Sequence, residues 1–151
     1  MATYKYTGCG LDNVIIKDVD FIVDDHGEQI VRIVNINGLH KAIARSILNR
    51  PSGVTGPELR FLRTEMGMTQ AEMANLVHRE PLAISRWERG ENPIDSNAEA
   101  LIRLAAMERL QIPTKASVEE VSKYCVQSAN EVPIKIDGSD PANYQPLPIA
   151  A

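Results

Sequence analysis

The stretch 68–90, MTQAEMANLVHREPLAISRWERG, limits what this chain can fold into more than any other segment does. Thr69, with Glu72 three residues later, has the pattern of a capping box, in which each side chain accepts a hydrogen bond from the other residue's backbone N–H. Pro81 suits the first turn of a second helix, where a missing N–H costs little, and Gly90 suits the left-handed residue that ends it. The stretch therefore predicts two short helices joined by a tight turn, near 70–77 and 81–89.

The same Ser/Thr-x-x-Glu pattern occurs three more times in the centre of the chain, which indicates a helical region. These patterns are Thr55…Glu58, Ser96…Glu99 and Ser117…Glu120. They predict further helices near 56–66, 97–110 and 118–128. Apolar residues that recur at helical spacing are expected to face the core: Leu59, Leu62, Met68, Met73, Ala74, Val77, Ile84, Trp87, Leu101 and Leu104.

The first fifty residues have a different pattern, because β-branched and aromatic residues come in short runs. These runs predict strands at Val14–Ile16, Phe21–Val23 and Ile30–Val34. Residues 38–49 then show an amphipathic pattern that predicts one helix, and residues 51–53, Pro-Ser-Gly, are typical of a linker.

The segment after Ala129 is rich in proline and lacks a helical period, which predicts an extended or disordered tail. Four of its side chains could dock on a surface: Ile134, Ile136, Tyr144 and Leu147. Together the patterns predict an α+β protein in five parts. These are a small α/β partner-binding or dimerisation module at 1–50, a linker at 51–54, a helical domain at 55–112, an additional helix at 113–129 and the tail at 130–151.

Composition argues against several classes of function. Sixteen basic and 20 acidic residues give a net charge of −4, and residues 55–112 hold seven arginines against nine acids, so general attraction to nucleic acid is expected to be weak. No apolar run approaches the roughly 20 residues of a membrane span, and no signal pattern is visible, so we expect a cytoplasmic protein without a membrane partner. Isolated histidines and the lack of a phosphate-binding glycine loop predict no enzyme, metal or cofactor. Cys9 and Cys125 are expected to be free thiols.

Eleven residues of the stretch 68–90 resemble, in type and spacing, the pattern of the lambda-repressor/Cro-type regulators, also called the Xre-type family. They are Met68, Thr69, Gln70, Glu72, Met73, Ala74, Ile84, Ser85, Trp87, Glu88 and Gly90. The resemblance implies a five-helix lambda-repressor-like fold with a DNA-binding helix-turn-helix domain at 55–112. In such a domain the second helix of the motif lies in the major groove of double-stranded DNA.

The resemblance also implies which side chains meet DNA. The expected DNA-binding residues are Gln70, Arg79, Glu80, Leu82, Ala83, Ser85, Arg86 and Arg89. Among them, Arg86 can make a bidentate contact with guanine, and Leu82 and Ala83 could meet a thymine methyl group. Arg79 and Arg89 are expected to contact phosphates.

Two further expectations concern support for that helix. Gln70 either contacts a phosphate or buttresses the second helix of the motif. Arg63 and Glu88 match the positions of a structural ion pair that fixes the first helix of the domain against it.

A small module that precedes such a domain is similar to the MqsA-type antitoxins, whose first domain binds zinc through paired CxxC motifs and masks a toxin. Here only Cys9 lies near the start, so a four-cysteine zinc site is not available. Either the module has lost its metal and packs by strands, or the likeness is superficial.

The resulting hypothesis is an antitoxin-like autoregulatory repressor that binds a palindromic operator as a homodimer, with a toxin or other protein as a further partner. One alternative is a stand-alone repressor or activator, for example of a mobile element. The other is a protein-interaction module that no longer binds DNA.

Overall fold

A computed structural model of the chain describes residues 2–19, 21–127 and 129–148. The chain divides into two compact units. The first, called the sheet unit below, consists of residues 1–46 and 132–151, and the second, the helical unit, of residues 47–131. The mixture of helices and strands agrees with the predicted α+β class. Among the helices within the described ranges, none is long and apolar enough to cross a membrane.

The sheet unit contains two sheets. Its strands, in chain order, are β1 (Ala2–Tyr6), β2 (Val14–Val19), β3 (Phe21–Val23), β4 (Gln29–Val31), β5 (Ile134–Asp137) and β6 (Gln145–Pro146). A four-stranded sheet has the order β1-β2-β5-β6, in which β2 and β5 run parallel and the outer pairs run antiparallel. The other two strands, β3 and β4, form a separate antiparallel hairpin in which Ile22 pairs with Ile30.

Of the two forms predicted for residues 130–151, extended or disordered, the described part has the extended one, since it contributes the strands β5 and β6 to the sheet. Ile134 and Ile136 alternate with half-buried residues and are themselves buried, because β5 pairs with β2 inside the sheet. Tyr144 is also buried, and its hydroxyl donates a hydrogen bond to the carbonyl oxygen of Val34 at 2.6 Å. Strand pairing therefore buries Ile134 and Ile136, while Tyr144 is buried outside the strands.

The helical elements lie close to their predicted positions. They are α1 (Ile36–Leu48), α2 (Gly56–Glu65), α3 (Gln70–Val77), α4 (Pro81–Glu88), α5 (Ser96–Arg109) and α6 (Val118–Tyr124). The capping boxes that begin α2 and α3 are formed as predicted. In contrast, α5 is capped by Asp95, whose carboxylate accepts from the N–H of Ala98, and Ser96 lies inside the helix.

The core of the helical unit differs from the prediction at two positions of α5. Leu101, expected to face inward, is 44% exposed, and Leu104, also expected to face inward, is only half-buried. Ile102 and Ala106, four residues apart on one face of the helix, are buried instead.

Buried ion pairs hold the segment that was predicted as a linker at 51–54. Arg50, which follows α1, donates to both carboxylate oxygens of Glu58 at 2.8 and 2.6 Å. Arg103 of α5 pairs with Glu99 at 3.0 Å and also donates to the backbone carbonyl of Ser52. All four charged side chains are at most 2% exposed, so this segment is tied to the helices of its unit.

The place of β5 in the sheet can be tested with Ile136→Ala. Because Ile136 is fully buried, truncation should lower the free energy of unfolding by about 2–5 kcal/mol. The matched control is Ile30→Ala, since Ile30 is 45% exposed and its truncation should cost no more than about 0.5 kcal/mol. Urea titration followed by circular dichroism measures both values. Equal, small effects would mean that residues 134–137 do not belong to a folded sheet.

Candidate nucleic-acid interface

The inner face of α4 fixes the helix to the rest of its unit. Ile84 and Trp87 are buried, as their spacing of three residues on one helical face predicts. Glu88, the last residue of the helix, is also buried.

The outer face of α4 combines apolar and cationic side chains. Leu82 is 53% exposed, and Arg86, four residues later on the same face, is exposed as well. Ala83 and Ser85 flank them and are half-buried. The guanidinium of Arg86 makes no ion pair or hydrogen bond with any residue that the structure describes. Arg86 is therefore available for an external acceptor.

The carboxylate of Glu88 joins three helices. It accepts hydrogen bonds from Arg63 of α2, through Nε at 2.6 Å and Nη2 at 3.1 Å. It also accepts one from Nε2 of Gln70 at the start of α3, at 3.1 Å. Arg63 donates in addition to the carbonyl oxygen of Met68. The ion pair expected between Arg63 and Glu88 is thus present, and Gln70 supports α4 through the same carboxylate.

A close backbone approach also positions the end of α4. A Cβ atom added to Gly56, the first residue of α2, would lie 2.5 Å from the carbonyl oxygen of Trp87 and 2.7 Å from that of Glu88. Backbone atoms cannot move aside as the end of a flexible side chain can, so this contact requires glycine.

Three residues connect α3 to α4 in a tight turn. His78 has the left-handed conformation, with φ 57° and ψ 46°, that ends α3. The N–H of Arg79 then donates to the carbonyl oxygen of Ala74 at 2.9 Å. Glu80 has extended backbone angles before α4, and its side chain makes no capping hydrogen bond.

Arg79 and Arg89 are exposed near the two ends of α4, and each has an acidic neighbour. Nη2 of Arg79 lies 3.4 Å from a carboxylate oxygen of Asp95, and its guanidinium carbon lies 6.0 Å from the ring centre of Trp87. Nη2 of Arg89 lies 2.7 Å from a carboxylate oxygen of Glu91. Exposed pairs of this kind contribute at most about 1 kcal/mol, so little free energy opposes the transfer of either arginine to another anion.

Burial removes charged side chains of both signs from the surface of residues 55–112. Three of the nine carboxylates, those of Glu58, Glu88 and Glu99, are buried. Of the seven arginines, Arg103 is buried and Arg63 is only 15% exposed. Five arginines then remain at the surface with six acids, so the charge that a ligand meets is close to balanced.

The described residues hold no cluster of metal-ligating side chains, and one of the two cysteines is buried. Within the described ranges, no three His, Cys, Asp or Glu side chains come together as a metal site requires. Cys9 and Cys125 form no disulfide. Burial raises the pKa of the Cys125 thiol to about 12, so this group stays protonated at neutral pH and is a poor nucleophile.

The sequence prediction missed residues that position α4 from outside the stretch 68–90. The sequence gives only a weak indication of the contact at Gly56. A glycine in the first turn of a helix is unfavourable for helix formation, which suggests that it is there to permit a close approach. Asp95 pairs with Arg79 and also caps α5. Whether α5 begins after Asp95 or after Ser96 depends on how the helix packs against its neighbours. The local sequence does not predict this packing.

Comparisons of the chain with models of known protein families, with curated proteins and with solved structures found no match.

The contact between Glu88 and Arg63 is expected to be structural. Glu88→Ala leaves the largely buried guanidinium of Arg63 without its carboxylate, which should lower stability by up to about 3–5 kcal/mol. Glu91→Ala removes a carboxylate from an exposed pair and should cost no more than about 1 kcal/mol. Thermal unfolding of both variants measures the difference. A Glu88 variant as stable as the Glu91 variant would contradict a structural role for the pair.

Proposed function

We propose that this protein is a sequence-specific DNA-binding transcriptional regulator, in which α3 and α4 form a helix-turn-helix and α4 enters the major groove. One observation carries the proposal: α4 is fixed from inside by Glu88, Arg63 and Gln70, while Leu82 and Arg86 are exposed on its outer face. A helix that reads bases needs such rigid support, because small displacements break hydrogen bonds to base edges.

The exposed side chains suit direct contacts with bases. Arg86 can donate two hydrogen bonds to O6 and N7 of guanine, and Leu82 can contact a thymine methyl group. Arg79 and Arg89 lie near the ends of α4, where phosphates approach, and each can exchange its acidic neighbour for a phosphate. Ala83 and Ser85 are small and let the helix approach the groove closely.

Arg86→Ala should weaken binding to the preferred operator by about 1–3 kcal/mol without changing the melting temperature, because Arg86 has no partner among the described residues. The chain's own upstream DNA serves as the first candidate operator in a mobility-shift titration at fixed salt. The matched control is Arg109→Ala, which removes an exposed arginine at the end of α5.

If the Arg86 variant binds DNA as tightly as the Arg109 variant, Arg86 does not contact the DNA. If the unaltered protein shifts no DNA at all, the proposal fails, and the chain is better explained as a protein-interaction module that does not bind DNA.

The protein is further proposed to bind as a two-fold dimer. One short helix covers only a few base pairs, and a nearly balanced surface gains little from general attraction to phosphate. The outer face of α5 offers an apolar contact, since Leu101 is exposed and Leu104 and Ala105 are half-buried beside it. The sheet unit offers another in its β3–β4 hairpin.

Footprinting should then show two protected half-sites whose centres lie about 34–36 Å apart, or a whole number of DNA turns apart. Leu101→Lys should weaken both half-sites together if α5 forms the dimer contact, and Glu119→Gln, which changes the charge by the same +1 at an exposed position of α6, is the control. A single half-site with one protein per DNA would reject the dimer.

The biological setting has two candidates. The β3–β4 hairpin exposes Ile22, Val23 and Ile30, at 46%, 62% and 45%, and exposed apolar clusters often bind a partner protein. This observation favours an antitoxin-like autoregulator whose sheet unit binds a toxin. Without such a partner, the same DNA-binding surface would serve a stand-alone repressor or activator. Co-expression with the product of the adjacent reading frame, followed by co-purification, separates the two.

A further inference from the structure

Glu80 differs from the residues that cap the other helices of the helical unit. Thr55, Thr69, Asp95 and Ser117 each accept a hydrogen bond from an N–H in the first turn of their helix. Glu80 occupies the same position before α4, and its side chain makes no such bond. Its carboxylate is therefore not used to begin the helix, although a serine, threonine or aspartate there would be.

The same carboxylate has no partner elsewhere in the described part of the chain. Glu80 is exposed, and it forms neither an ion pair nor a side-chain hydrogen bond there. The adjacent Arg79 pairs with Asp95 instead. Arg86, six residues further along, is also unpaired within the described ranges. The carboxylate that precedes α4 and the guanidinium of Arg86 within it are therefore both available to an external partner.

A carboxylate at this position weakens binding to DNA through electrostatic repulsion. Phosphates repel it on every sequence, and the helical unit has no surplus of positive charge to compensate. The repulsion is offset only where a base donates a hydrogen bond to the carboxylate. In the major groove, the amino groups at N4 of cytosine and N6 of adenine are the base donors.

Cytosine fits the carboxylate better than adenine does. Adenine places the acceptor N7 beside its amino group, so the second carboxylate oxygen meets a lone pair. The N4 amino group of cytosine has an acceptor on one side only, O6 of the paired guanine, whereas the amino group of adenine lies between N7 and O4 of the paired thymine; glutamate is one of the side chains that accept from cytosine. We propose that Glu80 is a specificity-determining residue that selects cytosine at one position of each half-site, an inference that rests on the proposed function.

The test is selection of binding sites from a pool of randomised DNA duplexes by the full chain. The unaltered protein is compared with Glu80→Gln, Glu80→Ala and the control Glu119→Gln, which removes an equally exposed negative charge from α6. Glutamine binds N6 and N7 of adenine, so Glu80→Gln should change the preferred base at one position from cytosine to adenine. Glu80→Ala should lose the preference there, a loss of roughly 5- to 100-fold in discrimination. Glu119→Gln should select the unaltered site.

The possible results separate the inference from the function on which it rests. If the unaltered protein selects a defined site and both Glu80 variants select the same site, cytosine recognition by Glu80 is wrong while DNA binding stands. Cytosine recognition is equally wrong if both variants bind every sequence more tightly with unchanged preferences, because Glu80 then only repels phosphate. If the unaltered protein selects no sequence, both proposals fall. Thermal unfolding confirms that each variant is folded.

Discussion

The carboxylate of Glu88 is the contact on which the arrangement of α2, α3 and α4 depends. It belongs to α4 and binds side chains from each of the other two helices. Hydrogen bonds between charged groups are stronger and more directional than those between neutral groups, and burial strengthens them further. Together with the backbone contact at Gly56, this carboxylate sets the angle at which the outer face of α4 is presented. Any binding function of that face therefore depends on a residue that itself touches no ligand.

The charged residues of the helical unit serve two separate purposes. Glu58 and Glu99 are buried against Arg50 and Arg103, where they hold the segment after α1 to the helices. Each of these carboxylates is buried together with an arginine, so their removal leaves the net charge of the exterior unchanged and slightly negative. In the proposed function, such an exterior disfavours indiscriminate binding to DNA, so that affinity depends more on base contacts than on phosphates.

Local chemistry explains which parts of the fold were predictable. The starts of α2 and α3 follow from capping boxes, whose hydrogen bonds join residues only three apart in sequence. Both helices begin where the sequence predicts. The exposure of Leu101 was not predictable, because α5 has apolar residues on more than one face and only its neighbours decide which is covered. For the candidate site, the sequence indicated Arg86 and Glu88 within the stretch 68–90, and Arg63 before it as the partner of Glu88. Burial of Arg50 and Arg103 depends on distant segments, and a buried arginine has no local signature.

The parallel pairing of β2 with β5 has a consequence for how the chain is made. Val14 pairs with Ile134, and the whole helical unit lies between them in sequence. Closing so long a loop adds little to the free-energy cost of folding, since that cost rises only with the logarithm of loop length. The folding rate depends more strongly on this sequence separation, because contacts between distant residues form late. On the ribosome, α2 to α6 can complete their local contacts while β2, paired only with β1, still has an open edge. Until β5 emerges, that edge can pair with a strand from another nascent chain.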